Sequence, residues 1–193
     1  MKQKKVRLLG LLLAAVMLFS CLPVQALAAE GGWFYLAADW NGTLLIAPER
    51  VSYTADQTLY EALNASGHSF GPDENSVTQI DGKTGNFIRS DETGSHDLTR
   101  NAAQAGIRYL CFTDRLTAQP SDAMQSLIAA MADYPLEEPD VQLAAKVAYN
   151  AACAGYVTAD DNAALSLYTA LHNAVEQYKQ TLDGPKYNVT FSD

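Results

Sequence analysis

The spacing of apolar residues changes period near Pro120, and that change divides the chain into two kinds of structure. Between Trp33 and Asp114, short runs rich in Val, Ile, Phe, Tyr and Thr are separated by turn residues, as in strands. Beyond Pro120 the composition turns alanine-rich and the apolar positions recur every three or four residues, as in helices. The order predicts an α+β fold: a small sheet with one short helix, then an all-α three-helix bundle.

In the first part, "WFYLAADW" and "TLLIAPERVSY" flank Asn41-Gly42, a strong tight-turn signal, and read as a hairpin in which Pro48 marks an edge or a bulge. "ADQTLYEALNASG" follows. Its Thr58-x-x-Glu61 is a capping box, Leu59, Ala62 and Leu63 share a face, and Gly67 supplies the stop, so a helix of about two turns is expected. "SVTQIDG", "NFIRSD" and "GIRYLCFTD" are three further strands, the first two joined through Asp81-Gly82-Lys83-Thr84-Gly85.

In the second part, "SDAMQSLIAAMADY" places Met124, Leu127, Ile128 and Met131 on one stripe, with Ser121 or Asp122 as the cap. "DVQLAAKVAYNAACAGY" suggests an inner face of Val141, Ala144, Val147, Ala148 and Ala151. Thr158-x-x-Asp161 is read as the cap of a third helix whose seam is Leu165, Tyr168, Leu171, Val175, Tyr178 and Leu182. The short connections predict an up, down and up path. "GPKYNVTFSD" then breaks the helix, and Tyr187, Val189 and Phe191 alternate as in a strand, one that either returns to an edge of the first sheet or, the favoured reading, opens a further domain.

Ahead of all this, Lys2, Lys4, Lys5 and Arg7 precede an apolar run from Leu8 to Phe19 and the small-residue exit Ala26-Leu27-Ala28. That order is expected of a secretory signal peptide cut after Ala28 or Ala29, and the run is short for a spanning helix. A rival reading makes Leu18-Phe19-Ser20-Cys21 a lipoprotein box with a lipid anchor on Cys21; bulky Phe19 and apolar Leu22-Pro23-Val24 speak against it. The expected divisions are therefore a signal peptide over 1–29, an α+β domain over 30–116, the bundle over 119–183, and a linker and possible first strand of a further domain over 184–193. The protein is expected to be secreted and associated with the cell surface.

Cutting removes four of the 13 basic residues and none of the 22 acidic ones, so nine face 22 and the net charge moves from −9 to about −13. Such a surface repels phosphate backbones, which argues against nucleic acid and anionic membranes as partners. Only Cys111 and Cys153 remain, both in apolar runs that suit buried small residues; whether they pair is open. His68, His96 and His172 are too far apart for a local zinc motif.

Catalytic patterns are present but out of context. Gly67-His68-Ser69-Phe70-Gly71 matches the G-x-S-x-G of serine hydrolases, yet a nucleophile elbow needs a strand before the serine and a helix after it. Here a capped helix precedes and Gly71-Pro72-Asp73 follows, so Gly67 reads as a helix stop and Phe70 as a loop residue tucked into the core. His68, or His96 with Asp97, could complete a triad only on paper. "DGKTG" lacks the first glycine of a phosphate loop, Asp73, Glu74 and Asn75 lack calcium-loop spacing, and "TADDNAA" reads as anions at a helix N-terminus. Glu61, Asp91 and Glu92 are a thin basis for a carboxylate-pair glycosidase. No cofactor is expected. Trp33, Tyr35 and Trp40 are candidates for a ligand-stacking platform, weighed against ordinary core packing.

Val51-x-Tyr53, Thr58-Leu59-x-Glu61-Ala62-Leu63, Ile80-Asp81-Gly82 and Asn86-Phe87 carry a resemblance. The segment containing them resembles the transcobalamin-like C-terminal β-grasp domain of multidomain surface proteins from Gram-positive bacteria. The resemblance implies a β-grasp-like sheet over 30–116 and an extracellular interaction role. It does not carry cobalamin over, because that ligand is clasped against a large helical barrel and the bundle here is too small to be one. The resulting expectation is an exported, non-catalytic surface module for adhesion, interaction or spacing that binds protein or glycan. A small secreted serine hydrolase using Ser69 is the alternative.

Overall fold

A computed structural model describes residues 31–92, 97–114, 120–135 and 141–182. The expected signal peptide, Cys21, His96 and the closing strand from Tyr187 to Phe191 lie outside them. The chain folds as α+β: a β-grasp-like sheet carrying a short helix, followed by a region of several helices.

Strands β1 (Gly32–Trp40) and β2 (Thr43–Tyr53) form the expected antiparallel hairpin. Asn41 and Gly42 both take positive φ, +50° and +75°, the geometry that a two-residue hairpin turn demands. Pairing slips between Leu36 and Ala38, opposite Ala47 and Pro48, so the proline sits at a bulge on an edge strand. Helix α1 (Leu59–Ala65) is capped as expected: Thr58 Oγ1 accepts from the Glu61 amide at 3.1 Å, and Glu61 Oε2 accepts from the Thr58 amide at 2.8 Å. Its face of Leu59, Ala62 and Leu63 is buried.

Four further strands follow: β3 (Phe70–Asp73), β4 (Ser76–Ile80), β5 (Lys83–Thr84) and β6 (Ile88–Ser90). After them come a single-turn helix, α2 (Ala102–Ala105), and β7 (Tyr109–Thr113). The main sheet has the order β2-β1-β7-β6, with β1 and β7 parallel at its centre. The expected loop at His68-Ser69-Phe70 is corrected in part. Phe70 is buried but opens β3, which pairs with β4. β4 itself belongs to a separate three-stranded sheet, β3-β4-β5, because Asp81 and Gly82, at φ +47° and +77°, turn it back onto β5 and away from the main sheet.

Helices α3 (Asp122–Ala132), α4 (Leu143–Gly155) and α5 (Asp161–Leu182) form the C-terminal region, with a 3-10 turn (Tyr156–Thr158) joining the last two. Ser121 caps α3, accepting from the Met124 amide at 3.3 Å. The cap of α5 is Asp160 rather than Thr158: its Oδ1 accepts from the Ala163 amide at 2.8 Å.

Side-chain alternation on β1 and β7 gives the sheet two buried faces. Phe34, Leu36, Leu110 and Phe112 pack against α1, α2 and the small sheet. Tyr35, Ala37, Tyr109 and Cys111 point the other way and share a core with Leu127, Ile128 and Met131 of α3, Ala145, Tyr149 and Ala152 of α4, and Leu171 and Val175 of α5. The helical region thus covers the sheet. Around α4 the buried face is turned from the one expected: Val141 is buried and Ala148 half-buried as expected, but the helix buries Ala145, Tyr149 and Ala152, whereas Ala144, Val147 and Ala151 are exposed, as are Leu143 and Ala154. On α5, Leu171, Val175 and Tyr178 are buried as expected, but Leu165 and Leu182 are exposed.

Candidate functional site

Where β1 emerges from the sheet, aromatic and guanidinium groups are stacked. Trp33 and Tyr35, two residues apart on a strand, share one face, and their rings meet edge-on at 4.8 Å. Trp33 keeps 44 % of its surface exposed. Arg50, on the adjacent β2, lays its guanidinium 4.3 Å over the Trp33 ring and 5.9 Å from that of Tyr35. Asp133, just past the end of α3, holds both neighbours: its Oδ1 accepts from Arg50 Nε at 2.6 Å, and its Oδ2 accepts from the Tyr35 hydroxyl at 3.2 Å. Burial, reinforced by the Asp133 charge, raises the Tyr35 pKa, so the phenol stays a donor. The Arg50 pKa is raised by its hydrogen bond to Asp133, which outweighs desolvation.

The aromatic line continues inward. Tyr35 stacks on Tyr109 at 5.8 Å, and Arg108 covers Tyr109 at 5.4 Å. Tyr109 and Asp133 also line a trough of about 380 Å³ between α3 and α5. The trough exists because α3 offers small side chains there, Ser126, Ala129 and Ala130, whereas α5 opposes them with Tyr168 and His172, whose rings stack at 5.4 Å. Its volume is within the range of small-ligand sites.

Of the three expected stacking residues, the structure brings Trp33 and Tyr35 together and separates Trp40. The latter is on the opposite face, packed with the α1-side core, and a Cβ on Gly85 would lie 2.8 Å from its Nε1. Arg50, Tyr109, Asp133, Tyr168 and His172 were not singled out as site residues from sequence. Tyr168 falls in the helical seam and Tyr109 in a strand, where periodicity reads them as core; their convergence needs the tertiary fold.

Among the described residues, the Ser69 neighbourhood does not assemble a relay. His68 Nδ1 lies 2.6 Å from Asp81 Oδ2, but its Nε2 faces Glu49 Oε1 at 3.4 Å. The Ser69 hydroxyl donates to Asp81 Oδ1 at 3.4 Å, and the Ser69 amide to the same oxygen at 2.8 Å. A general base must reach the hydroxyl proton, and here both ring nitrogens are turned to carboxylates. Partial burial pushes the Asp81 pKa up, but the Ser69 amide and His68 outweigh it and hold the carboxyl below its ordinary value.

The other carboxylates singled out from sequence serve the backbone. Glu61 closes the capping box, and Asp73 Oδ1 accepts from the amides of Asn75 and Ser76 at 2.9 and 3.1 Å. Glu92 accepts from the amides of Arg108 and Tyr109 at the head of β7. Asp91 is buried with Arg89 Nε 3.9 Å away. Among the described residues no group of three or more His, Cys, Asp or Glu side chains could hold a metal ion. Cys111 and Cys153 are both free thiols.

The fold and this surface together define a class: an α+β protein whose β-grasp-like sheet is covered by helices on one face and carries an aromatic rim beside an open trough. No protein family, characterised protein or solved structure matches the chain.

Proposed function

We propose that this is an exported, non-catalytic surface module that recognises an extracellular protein or glycan through the Trp33–Tyr35–Arg50 rim. The observation that carries the reading is the exposed Trp33 ring, capped by a guanidinium that Asp133 holds in place. A large aromatic with a pre-ordered cationic neighbour costs little entropy to bind against, which is why such pairs recur at recognition surfaces. The leader-like first 29 residues and the acidic composition support export, and the resemblance to β-grasp domains of surface proteins supports an interaction role. In this reading the helices belong to the recognition unit, because they supply Asp133 and cover the sheet.

The test is binding of the full chain, expressed with its leader in a bacterial host, to immobilised matrix proteins, mucins and wall glycans. Binding to one of these that Trp33→Ala abolishes without altering the melting temperature is the expected result. Turnover of a substrate with no binding to any of them would overturn the proposal.

A further inference from the structure

We infer that the trough between α3 and α5 is a subsite for an uncharged glycan, with Tyr168 and His172 as its stacking wall. This deepens the proposed recognition role and rests on it. Asp133 is common to the trough and the rim: it lines the first and holds Arg50 over Trp33 in the second, which places the two side by side, with the buried Tyr35–Tyr109 stack beneath.

The chemistry of the walls selects the ligand. A pyranose ring has an apolar C–H face and an equatorial rim of hydroxyls, so it needs aromatic area beside planar polar groups. The trough supplies both: the Tyr168–His172 stack on one side, and Gln125, Asp133 and Glu176 as hydrogen-bonding groups around it. An apolar peptide would fit poorly, because it would strip water from the remaining lone pairs and N–H groups of these side chains and return no hydrogen bonds. Nor could an extended peptide add a strand here, since both walls are helices whose backbone groups are already paired.

Charge narrows the class further. Lys179 contributes a cation to the lining, but its Nζ sits 2.8 Å from Glu176 Oε1, and Arg50 at the rim is bound to Asp133. An anionic polymer would have to break one of those pairs while approaching a chain of net charge −9. A neutral chain of hexoses or N-acetylhexosamines avoids both costs.

The experiment measures binding of the full chain to chitopentaose and maltopentaose as neutral probes, to oligogalacturonate and polyglycerol phosphate as anionic ones, and to the matrix proteins above. The expected result is that a neutral probe binds, that His172→Ala and Tyr168→Ala each weaken it by about tenfold or more, and that Tyr168→Phe retains it. His172 is exposed, so its removal leaves the fold intact and keeps the test valid should Tyr168→Ala unfold. Binding of anionic probes alone, or neutral binding indifferent to both alanine variants, overturns the inference. Capture of a matrix protein that depends on Trp33 but not on the trough also overturns it while leaving the broader role standing. Binding to none of the probes or proteins removes both.

Discussion

Arg50 and Asp133 are 83 positions apart in sequence and 2.6 Å apart in space, joining the edge of the sheet to the end of α3. Their side chains are 47 % and 39 % exposed, so water and salt screen the pair and its coupling should be about 0.5–1 kcal/mol. A double-mutant cycle with Arg50→Ala and Asp133→Ala, followed by urea unfolding, measures it. The coupling should shrink in 0.5 M salt. Asp133→Ala alone should cost about 1–2 kcal/mol, because it also strips the buried Tyr35 hydroxyl of its acceptor.

Asp81 gives a test in acid. Its carboxyl is held below the ordinary value of 3.8 by the Ser69 amide and by His68, which together outweigh partial burial. A carboxyl depressed in the folded state adds stability above its unfolded pKa and loses it as pH falls through the folded one. Asp81→Asn should therefore cost about 1 kcal/mol at pH 7, and the gap should close as pH falls below 3.8 through the depressed folded value. Asn is as comfortable as Asp at the positive φ of this position, so the difference reports charge rather than backbone strain. A gap that persists unchanged into acid would assign the effect to packing.

The same geometry governs Ser69. Its hydroxyl is turned to Asp81 and, among the described residues, no imidazole nitrogen reaches it, so a fluorophosphonate probe should leave the protein unlabelled at pH 7.5. Labelling that Ser69→Ala abolishes would show an activated nucleophile and revive the hydrolase reading.

Local chemistry with a unique solution was legible in the sequence. Asn41-Gly42, the Thr58/Glu61 box and the Ser121 cap each satisfy a specific backbone need, and each stands in the structure where the residues place it. The face of α4 was not legible. Alanine fills so many of its positions that Val141, Ala145, Tyr149, Ala152 and the expected Val141, Ala144, Val147, Ala148, Ala151 both satisfy helical spacing. Tyr149 decides between them, because its ring stacks on Tyr134 at 4.3 Å and 17° in the core beneath the sheet. The second sheet was hidden for another reason: β4 and β6 read alike, and only the turn at Asp81-Gly82 and the pairing with β3 divert β4. For the trough, sequence shows that α3 is rich in small residues but not that Tyr168 and His172 stand opposite them.

The orientation of α4 can be checked by substitution. Leu143→Lys and Val147→Lys place charge on an exposed face and should each change stability by less than about 0.5 kcal/mol. Tyr149→Ala should cost about 3–4 kcal/mol through loss of buried ring area and the stack on Tyr134. Urea unfolding of the three variants distinguishes the two faces. The opposite ranking would mean that α4 is rotated about its axis by roughly half a turn.

Cys111 predicts how the core responds to alkali. It lies on β7 between the sheet and the helices, and burial pushes its thiol up from 9.0 to about 12, against a smaller lowering by Tyr156. In the unfolded chain the thiol ionises near pH 9, whereas in the folded chain it remains protonated. A group whose folded pKa is raised gives its full stability below the unfolded pKa and loses it as pH rises toward the folded value, here between about 9 and 12. Between pH 8 and pH 10.5 the linkage amounts to a loss on the order of 2 kcal/mol. Tyr35, Tyr134 and Tyr149 are raised by burial too and work in the same direction, so the cysteine must be isolated by difference. Urea unfolding of the wild type and Cys111→Ala at both pH values, under reducing conditions, does this. The wild type should lose more stability than the variant by about that amount. Equal losses would place Cys111 in contact with water in the folded protein, and with it the seam where the helices close over the sheet.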